Sequence, residues 1–257
     1  MIKNFSAIIL RTRDWGEKDL LVCALSQDGE RLDLIAKGAG GPRSKRRSHL
    51  ESMNAVRGTI YESKGRAYIK TVETENSFLR VKQEPCLVFR LTVFVEILEK
   101  TLLPEHAHPE IYPLFLETLE SLNEKNHPLL TEGELPKNRR ASDTILVEVA
   151  LVKLAHVLGY LPSFKNCAHC HEGLTKTAHW DHEAGTLACA NCRQANHRSF
   201  PIKYCKAFEF FRHASTENCQ KVFLQPDEAE TLREWIPSFF SLHLKQPLKS
   251  LQIQEAF

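Results

Sequence analysis

Arg31-Leu32-Asp33-Leu34-Ile35-Ala36-Lys37-Gly38-Ala39-Gly40-Gly41-Pro42-Arg43-Ser44-Lys45-Arg46-Arg47 decides how the first third of the chain is read. Leu32, Leu34 and Ala36 alternate with Arg31, Asp33 and Ile35, the period-two pattern of a strand with one buried face. After Lys37 the alternation stops and glycines, then arginines, take over, so the strand runs into a basic loop. Outward from it, Phe5–Thr12 and Asp19–Ser26 precede, and Met53–Tyr61 and Arg66–Val72 follow, all short runs rich in Ile, Val, Leu and Tyr. Asp14-Trp15-Gly16, Asp28-Gly29, Gly38 to Pro42 and Lys64-Gly65 separate them as turns. Five short strands in about 75 residues suit a small closed barrel, of which the oligonucleotide-binding (OB) barrel is the five-stranded example.

The period changes after Pro85. Leu87, Leu91, Phe94, Val95, Leu98 and Leu102 fall on one helical face, and Pro104 ends it. A second helix is expected over Glu110–Asn123, followed by a polar loop over Glu124–Arg140. Ser142 then caps a helix whose core stripe is Leu146, Val149, Ala150, Leu154, Val157, Leu158 and Leu161, with Gly159 and Pro162 ending it. Lys203–His213 and Asp227–Leu244 read as the last helices. The expected organisation is α+β: an N-terminal five-stranded OB barrel over residues 1–80, then an α-helical domain over 81–257 with a zinc module inserted at about 163–200.

That module rests on Cys167-Ala-His-Cys170 and Cys189-Ala-Asn-Cys192, with 18 residues between them. Each CxxC knuckle turns two thiolates toward one ion, and two knuckles complete a tetrahedron, so one structural Zn2+ bound by Cys167, Cys170, Cys189 and Cys192 is expected. A shell of four thiolates has no open position for water or substrate. The rival readings fit less well. Cys167 to His171 matches the CxxCH haem pattern, but that would leave the second knuckle unexplained. A redox CxxC needs a thioredoxin-like βαβ setting, whereas this one follows a helix. A zinc deaminase needs His-x-Glu followed by Pro-Cys-x-x-Cys; His49-Leu-Glu51 and His108-Pro-Glu110 supply the first half, but neither knuckle is preceded by proline. His169, His171, His179 and His182 are read as solvated loop residues, and Cys23, Cys86, Cys205 and Cys219 as small core residues.

The chain has 257 residues, of which 42% are hydrophobic and 26% charged, a composition that excludes a disordered or membrane-embedded protein. Met1–Leu10 has too short an apolar patch for an export signal and no run reaches membrane-span length, so a cytoplasmic location is expected. The net charge of +2 hides a split: residues 1–80 hold 15 Lys and Arg against 10 Asp and Glu, and the remainder 19 against 22. A polyanion is the natural partner of the N-terminal part. Lys37, Arg43, Lys45, Arg46 and Arg47 are the candidate phosphate contacts, joined by Arg57 and Arg66 on the neighbouring strands. The glycines do not make a P-loop, and there is no Ser/His/Asp, Walker or open-metal constellation, so no catalysis is expected. A zinc-ribbon factor of transcription or translation, or a zinc hydrolase or deaminase, are the alternatives.

Three segments add a resemblance. Ala7-Ile-Ile-Leu-Arg-Thr-Arg-Asp-Trp-Gly-Glu-Lys-Asp19, Ala36-Lys-Gly-Ala39 with its basic sequel, and Leu158-Gly-Tyr-Leu-Pro162 leading into the first knuckle resemble the bacterial recombination mediator family RecO over nearly the whole chain. Gly40-Gly41 departs from it, since similar proteins are often more basic there; Arg43 to Arg47 compensate. The resemblance implies an OB barrel and a helical domain, binding of single- and double-stranded DNA, and annealing of complementary strands. It also implies partnership with RecR and with the tail of single-strand-binding protein, so that RecA loads onto gapped DNA near the nucleoid. Some members lack the cysteines, which implies that zinc supports the fold and is not the activity.

Overall fold

A computed structural model describes residues 2–104, 106–124, 145–220, 222 and 224–254. Five strands, β1 (Ile2–Trp15), β2 (Asp19–Ser26), β3 (Arg31–Ala36), β4 (Ala55–Ser63) and β5 (Arg66–Asn76), form a closed barrel in the order β1-β2-β3-β5-β4. The expected OB-like barrel is therefore present. The N-terminal part of β1 pairs with β4, from Ile2↔Tyr61 to Ile8↔Ala55. Its C-terminal part pairs with β2, ending at Trp15↔Asp19, with a register shift between Ile9 and Arg11. One strand thus serves two neighbours, and the bulge supplies the bend that closure requires. Phe5, Ala7, Ile9, Val22, Leu34, Val56, Ile69 and Val72 fill the interior.

Helices α2 (Leu79–Lys82), α3 (Pro85–Thr101) and α4 (Ile111–Asn123) belong to the same compact unit as the barrel. The chain divides into Met1–Leu130 and Thr131–Phe257, so residues 80 and 81, which lie inside α2, do not mark the edge of a compact unit. The physical reason is that α3 packs on β1. The outer face of β1 carries the buried Ile8 and Leu10, and the Arg11 guanidinium lies 2.8 Å from the Glu99 carboxylate of α3. Phe94 and Phe115 stack between α3 and α4 at 4.8 Å. The β2–β3 turn is tied in as well, because His108 N–H donates to the Gly29 carbonyl at 3.2 Å.

The second unit holds α5 (Leu146–Val157), a three-stranded sheet β7-β6-β8 (β6 Ala178–Asp181, β7 Thr186–Ala188, β8 Arg198–Phe200), and helices α6 (Ile202–His213), α7 (Thr216–Gln220), α8 (Pro226–Leu244) and α9 (Lys249–Gln254). The expected cap Ser142 and most of the expected loop lie outside the described residues. Instead of a single core stripe, α5 is buried on every side from Leu146 to Val152. It packs against α6, α7 and α8, and only its last turns, where Lys153 is half-buried and His156 exposed, reach solvent. Val157, Leu158 and Leu161, counted in that stripe, are only half-buried. Proline opens α8, and Glu228 reaches back to the Gln225 N–H at 2.9 Å in a capping box.

Gly29 shows how closely the turn and the α3–α4 connection approach. It sits at φ +81°, and a Cβ there would lie 2.0 Å from the His108 carbonyl oxygen. Gly65 has φ +70° but open space around it. Gly65→Ala should therefore cost only the left-handed backbone penalty of about 1–2 kcal/mol. Gly29→Ala adds a backbone collision and should cost ~3 kcal/mol or more. Chemical denaturation of the two variants checks the order; equal losses would contradict the close packing described.

Candidate metal centre and nucleic-acid interface

The four expected ligands converge. The Cys167, Cys170, Cys189 and Cys192 sulfurs all lie within 4.8 Å of one another. Local backbone geometry builds the cluster. His171 N–H donates to the Cys167 carbonyl at 3.0 Å and Cys192 N–H to the Cys189 carbonyl at 3.2 Å, closing one turn in each knuckle. His171 sits at φ +63° to end the first. Ala168 N–H donates to the Leu187 carbonyl at 2.8 Å, which draws the first knuckle to the strand leading into the second.

A tetrahedron of thiolates at ~2.3 Å from an ion has edges of roughly 3.8 Å. The Cys170 and Cys189 sulfurs are 3.7 Å apart, and the remaining pairs need close by no more than about 1 Å. The donor set therefore fits a thiolate-preferring, four-coordinate metal ion. Its electrostatics fit too. Burial alone would raise the Cys167 thiol, but backbone N–H groups of Cys170, Cys189 and His169 point at its sulfur and bring it down to about 6. Cys192, hydrogen-bonded with Cys170 and Cys189, is pushed up to about 12. Clustered thiols share the first negative charge and resist the next, a cost that a bound cation removes.

None of the neighbouring histidines enters the four-sulfur cluster. His179 is buried on β6 and not solvated as expected, and burial lowers its pKa. His197, to which no sequence signal points, places its Nε2 3.3 Å from the Asp181 carboxylate. Asp181 also accepts from the Glu183 and Ala184 N–H groups at 2.9 and 3.1 Å, which shapes the β6–β7 turn. Of the other cysteines, Cys205 and Cys219 are buried and Cys23 half-buried, but Cys86 is exposed in the first turn of α3, contrary to expectation. Burial pushes Cys23 up to about 12 and Cys205 to about 11, so both stay protonated and inert.

The metal module and the last helices share one aromatic cluster. Trp180 of β6 lies 5.0 Å from Trp235 of α8, Phe200 of β8 lies 5.4 Å from Trp235, and Phe208 of α6 packs on Trp235 and on Phe164, both at 4.8 Å. Phe164 lies three residues before Cys167, so the chain runs from this cluster directly into the first knuckle.

The basic segment forms a strap pinned at both ends to the barrel. At its start, Gly38 N–H donates to the Asp19 carboxylate at 2.8 Å and Gly40 N–H to the Lys18 carbonyl at 2.8 Å. At its end lies a one-turn helix, α1 (Arg46–His49), beyond which Thr12 and Ser52 hydroxyls donate to the Leu50 and Leu10 carbonyls at 2.6 and 2.7 Å. Met53 N–H donates to the Ile9 carbonyl at 2.7 Å, beside the β1 bulge. Arg46 is half-buried and donates to the Lys37 carbonyl, and Arg47 donates to the Gly40 carbonyl at 3.1 Å. Arg43 and Lys45 project into solvent with no partner among the described residues.

Lys37 is exposed, with its ammonium 5.2 Å from the centre of the Tyr68 ring. Arg66 lies two residues before Tyr68 on β5 and so shares its outward face. Arg57 has different company, since Glu73 and Glu75 approach its guanidinium to 3.7 and 3.8 Å. A phosphate there would compete with two carboxylates. Arg11, paired with Glu99, is committed to holding α3.

Comparison with known proteins covers both units. A family model described as recombination protein O, N terminal, matches residues 1–78, and one described as recombination protein O, C terminal, matches residues 134–252. The DNA repair protein RecO of Syntrophobacter fumaroxidans is 25% identical over 265 residues, covering 96% of this chain and 94% of the relative. That of Bacillus cytotoxicus is 22% identical over 257 residues, covering 99% and 97%. That of Desulfitobacterium hafniense is 24% identical over 194 residues, covering 75% of this chain and only 65%, just under two thirds, of the relative.

Elemental analysis of the purified chain should find one metal ion per molecule. Cys170→Ser and Cys189→Ser should each lose it and open the knuckles to protease. The barrel, which has its own core, should stay resistant. An unchanged metal content in both variants would contradict the four-sulfur site.

Proposed function

The chain belongs to the RecO family of DNA repair proteins, and on that premise we propose that it is a non-enzymatic DNA-binding protein of recombinational repair. It binds single- and double-stranded DNA, anneals complementary strands and helps load RecA on gapped DNA. RecR and the tail of single-strand-binding protein are its partners, and it works in the cytoplasm, associated with the nucleoid. No described helix is long and apolar enough to cross a membrane.

The observation that carries this reading is the strap. Residues 37–47 hold five cations and no acid on a backbone pinned to the barrel at both ends. Arg46 and Arg47 spend donors on the strap's own carbonyls, which rigidifies it, while Arg43 and Lys45 stay free for phosphates. Phosphate contacts hold any sequence, as annealing requires. Lys37, over the Tyr68 ring, and Arg66, two residues before Tyr68 on β5, extend the surface over the barrel's outer face. Arg57 contributes least, because of its two carboxylate neighbours.

The metal is one structural Zn2+. Four thiolates saturate a tetrahedral zinc, so the ion polarises no substrate and activates no water. Cys167, Cys170, Cys189 and Cys192 hold it, and it locks the knuckles against the aromatic cluster. A hydrolase or deaminase would need an open coordination position, which this donor set does not leave.

Annealing of complementary oligonucleotides coated with single-strand-binding protein tests the proposal directly: the chain should accelerate it without nucleotide hydrolysis. Replacing Arg43, Lys45, Arg46 and Arg47 together with alanine should slow annealing and weaken single-strand binding about equally across sequences. The slope of log affinity against log salt should flatten by ~1–2, given ~0.7 per phosphate contact and two side chains partly engaged in the strap. A folded quadruple variant with unchanged affinity and slope would place the DNA surface elsewhere.

A further inference from the structure

Trp15 stands at the tip of the β1–β2 hairpin and is 46% exposed. Gly16, at φ +68°, makes the turn that follows, and Trp15 pairs with Asp19 across it. The indole is therefore carried on a hydrogen-bonded ladder and not on a loose loop. This hairpin is the one bonded to the basic strap, through Lys18 and Asp19 to the Gly40 and Gly38 amides. Its acids are largely committed. Asp19 accepts from Gly38, and Asp14 lies 3.9 Å from the Arg47 guanidinium. Glu17 alone is an exposed carboxylate without a partner among the described residues, against the five cations of the strap.

The barrel tyrosines and the other two tryptophans are already packed on rings. Tyr61 and Tyr68 stack on each other at 5.2 Å, and Lys37 lies over Tyr68. Trp180 and Trp235 pack in the aromatic cluster of the second unit. Among the described residues no ring stacks on Trp15. A large apolar surface held rigidly in water beside a phosphate-binding strap has the two components of a single-strand site, a cationic track and a stacking face.

We infer that Trp15 is a base-stacking residue: when the phosphates of a single strand lie along residues 37–47, one base leaves its neighbours and rests on the indole. Bases within a duplex are stacked on one another and offer no free face, so the contact favours single strands. This inference rests on the strap being a DNA contact.

The test is a titration of the full chain with an oligothymidylate and, separately, with a duplex of equal length, following tryptophan emission and affinity. Since Trp180 is buried and Trp235 is packed among other rings, quenching reports on Trp15. The single strand should quench the parent and the duplex should not. Trp15→Phe should keep single-strand affinity to within about threefold while losing the quench. Trp15→Ala should weaken single-strand binding by roughly 5- to 100-fold, with duplex affinity and salt slope unchanged. Single-strand affinity unchanged in Trp15→Ala, or single-strand and duplex affinity falling together, overturns the inference. If strap substitutions still weaken binding in that case, the proposed function survives without it. A parent chain that binds neither nucleic acid sinks the DNA reading of the strap itself.

Discussion

Everything in the first unit depends on β1 serving two neighbours at once. A strand that pairs with β4 along one part of its length and with β2 along the other closes the barrel only if it bends, and it bends at the bulge between Ile9 and Arg11. That bulge is also where the strap ends. Ile9, Leu10 and Thr12 exchange hydrogen bonds with Leu50, Ser52, Met53 and Asn54, so the distortion that closes the barrel provides the anchor for the basic segment. The bend in β1 and the anchoring of the basic segment thus share one backbone irregularity, while β4 and β5 add register shifts of their own. A straight β1 would leave the barrel open and the strap tethered at its glycine end alone.

The second unit solves a different problem. Its sheet has three strands of three or four residues, too little to hold itself together in water. Two things compensate. Trp180, Phe200 and Phe164 join Phe208 and Trp235 in one aromatic cluster, and the four sulfurs of the two knuckles meet within 4.8 Å of one another. Structural zinc in isolated peptides contributes ~10–16 kcal/mol of apparent folding energy, enough to decide whether such a module exists. Aromatic packing would make the module less dependent on a metal ion than an isolated finger is.

Much of this was legible in the sequence because the signals were local. Alternation at Leu32, Leu34 and Ala36, turn glycines between runs, and the CxxC pairs each report on a few consecutive residues. What was not legible depended on partners distant in sequence. The apolar stripe on α5 has a true helical period, but the helix is buried on every side from Leu146 to Val152 against its neighbours, and only its last turns, with Lys153 and His156, show a polar face. The strands between the knuckles had a signal, Trp180 and Leu187 flanking the Asp181 to Gly185 turn, that the cysteines overshadowed. At the candidate site, charge alone could not distinguish Arg43, which is exposed, from Arg46, which is spent on the Lys37 carbonyl, or Arg57, which faces two glutamates. Neither His197 nor the exposure of Trp15 could be found without the fold.

Under the proposed function, DNA is held by the strap braced on the barrel, and the metal module acts as structure. Amide hydrogen exchange of the full chain, with and without a saturating oligothymidylate, tests it most directly. The account predicts slower exchange at residues 37–50 and in the 14–19 hairpin, with little change between residues 167 and 192. Protection confined to residues 146–254, with the strap exchanging as fast as in the free chain, would contradict it.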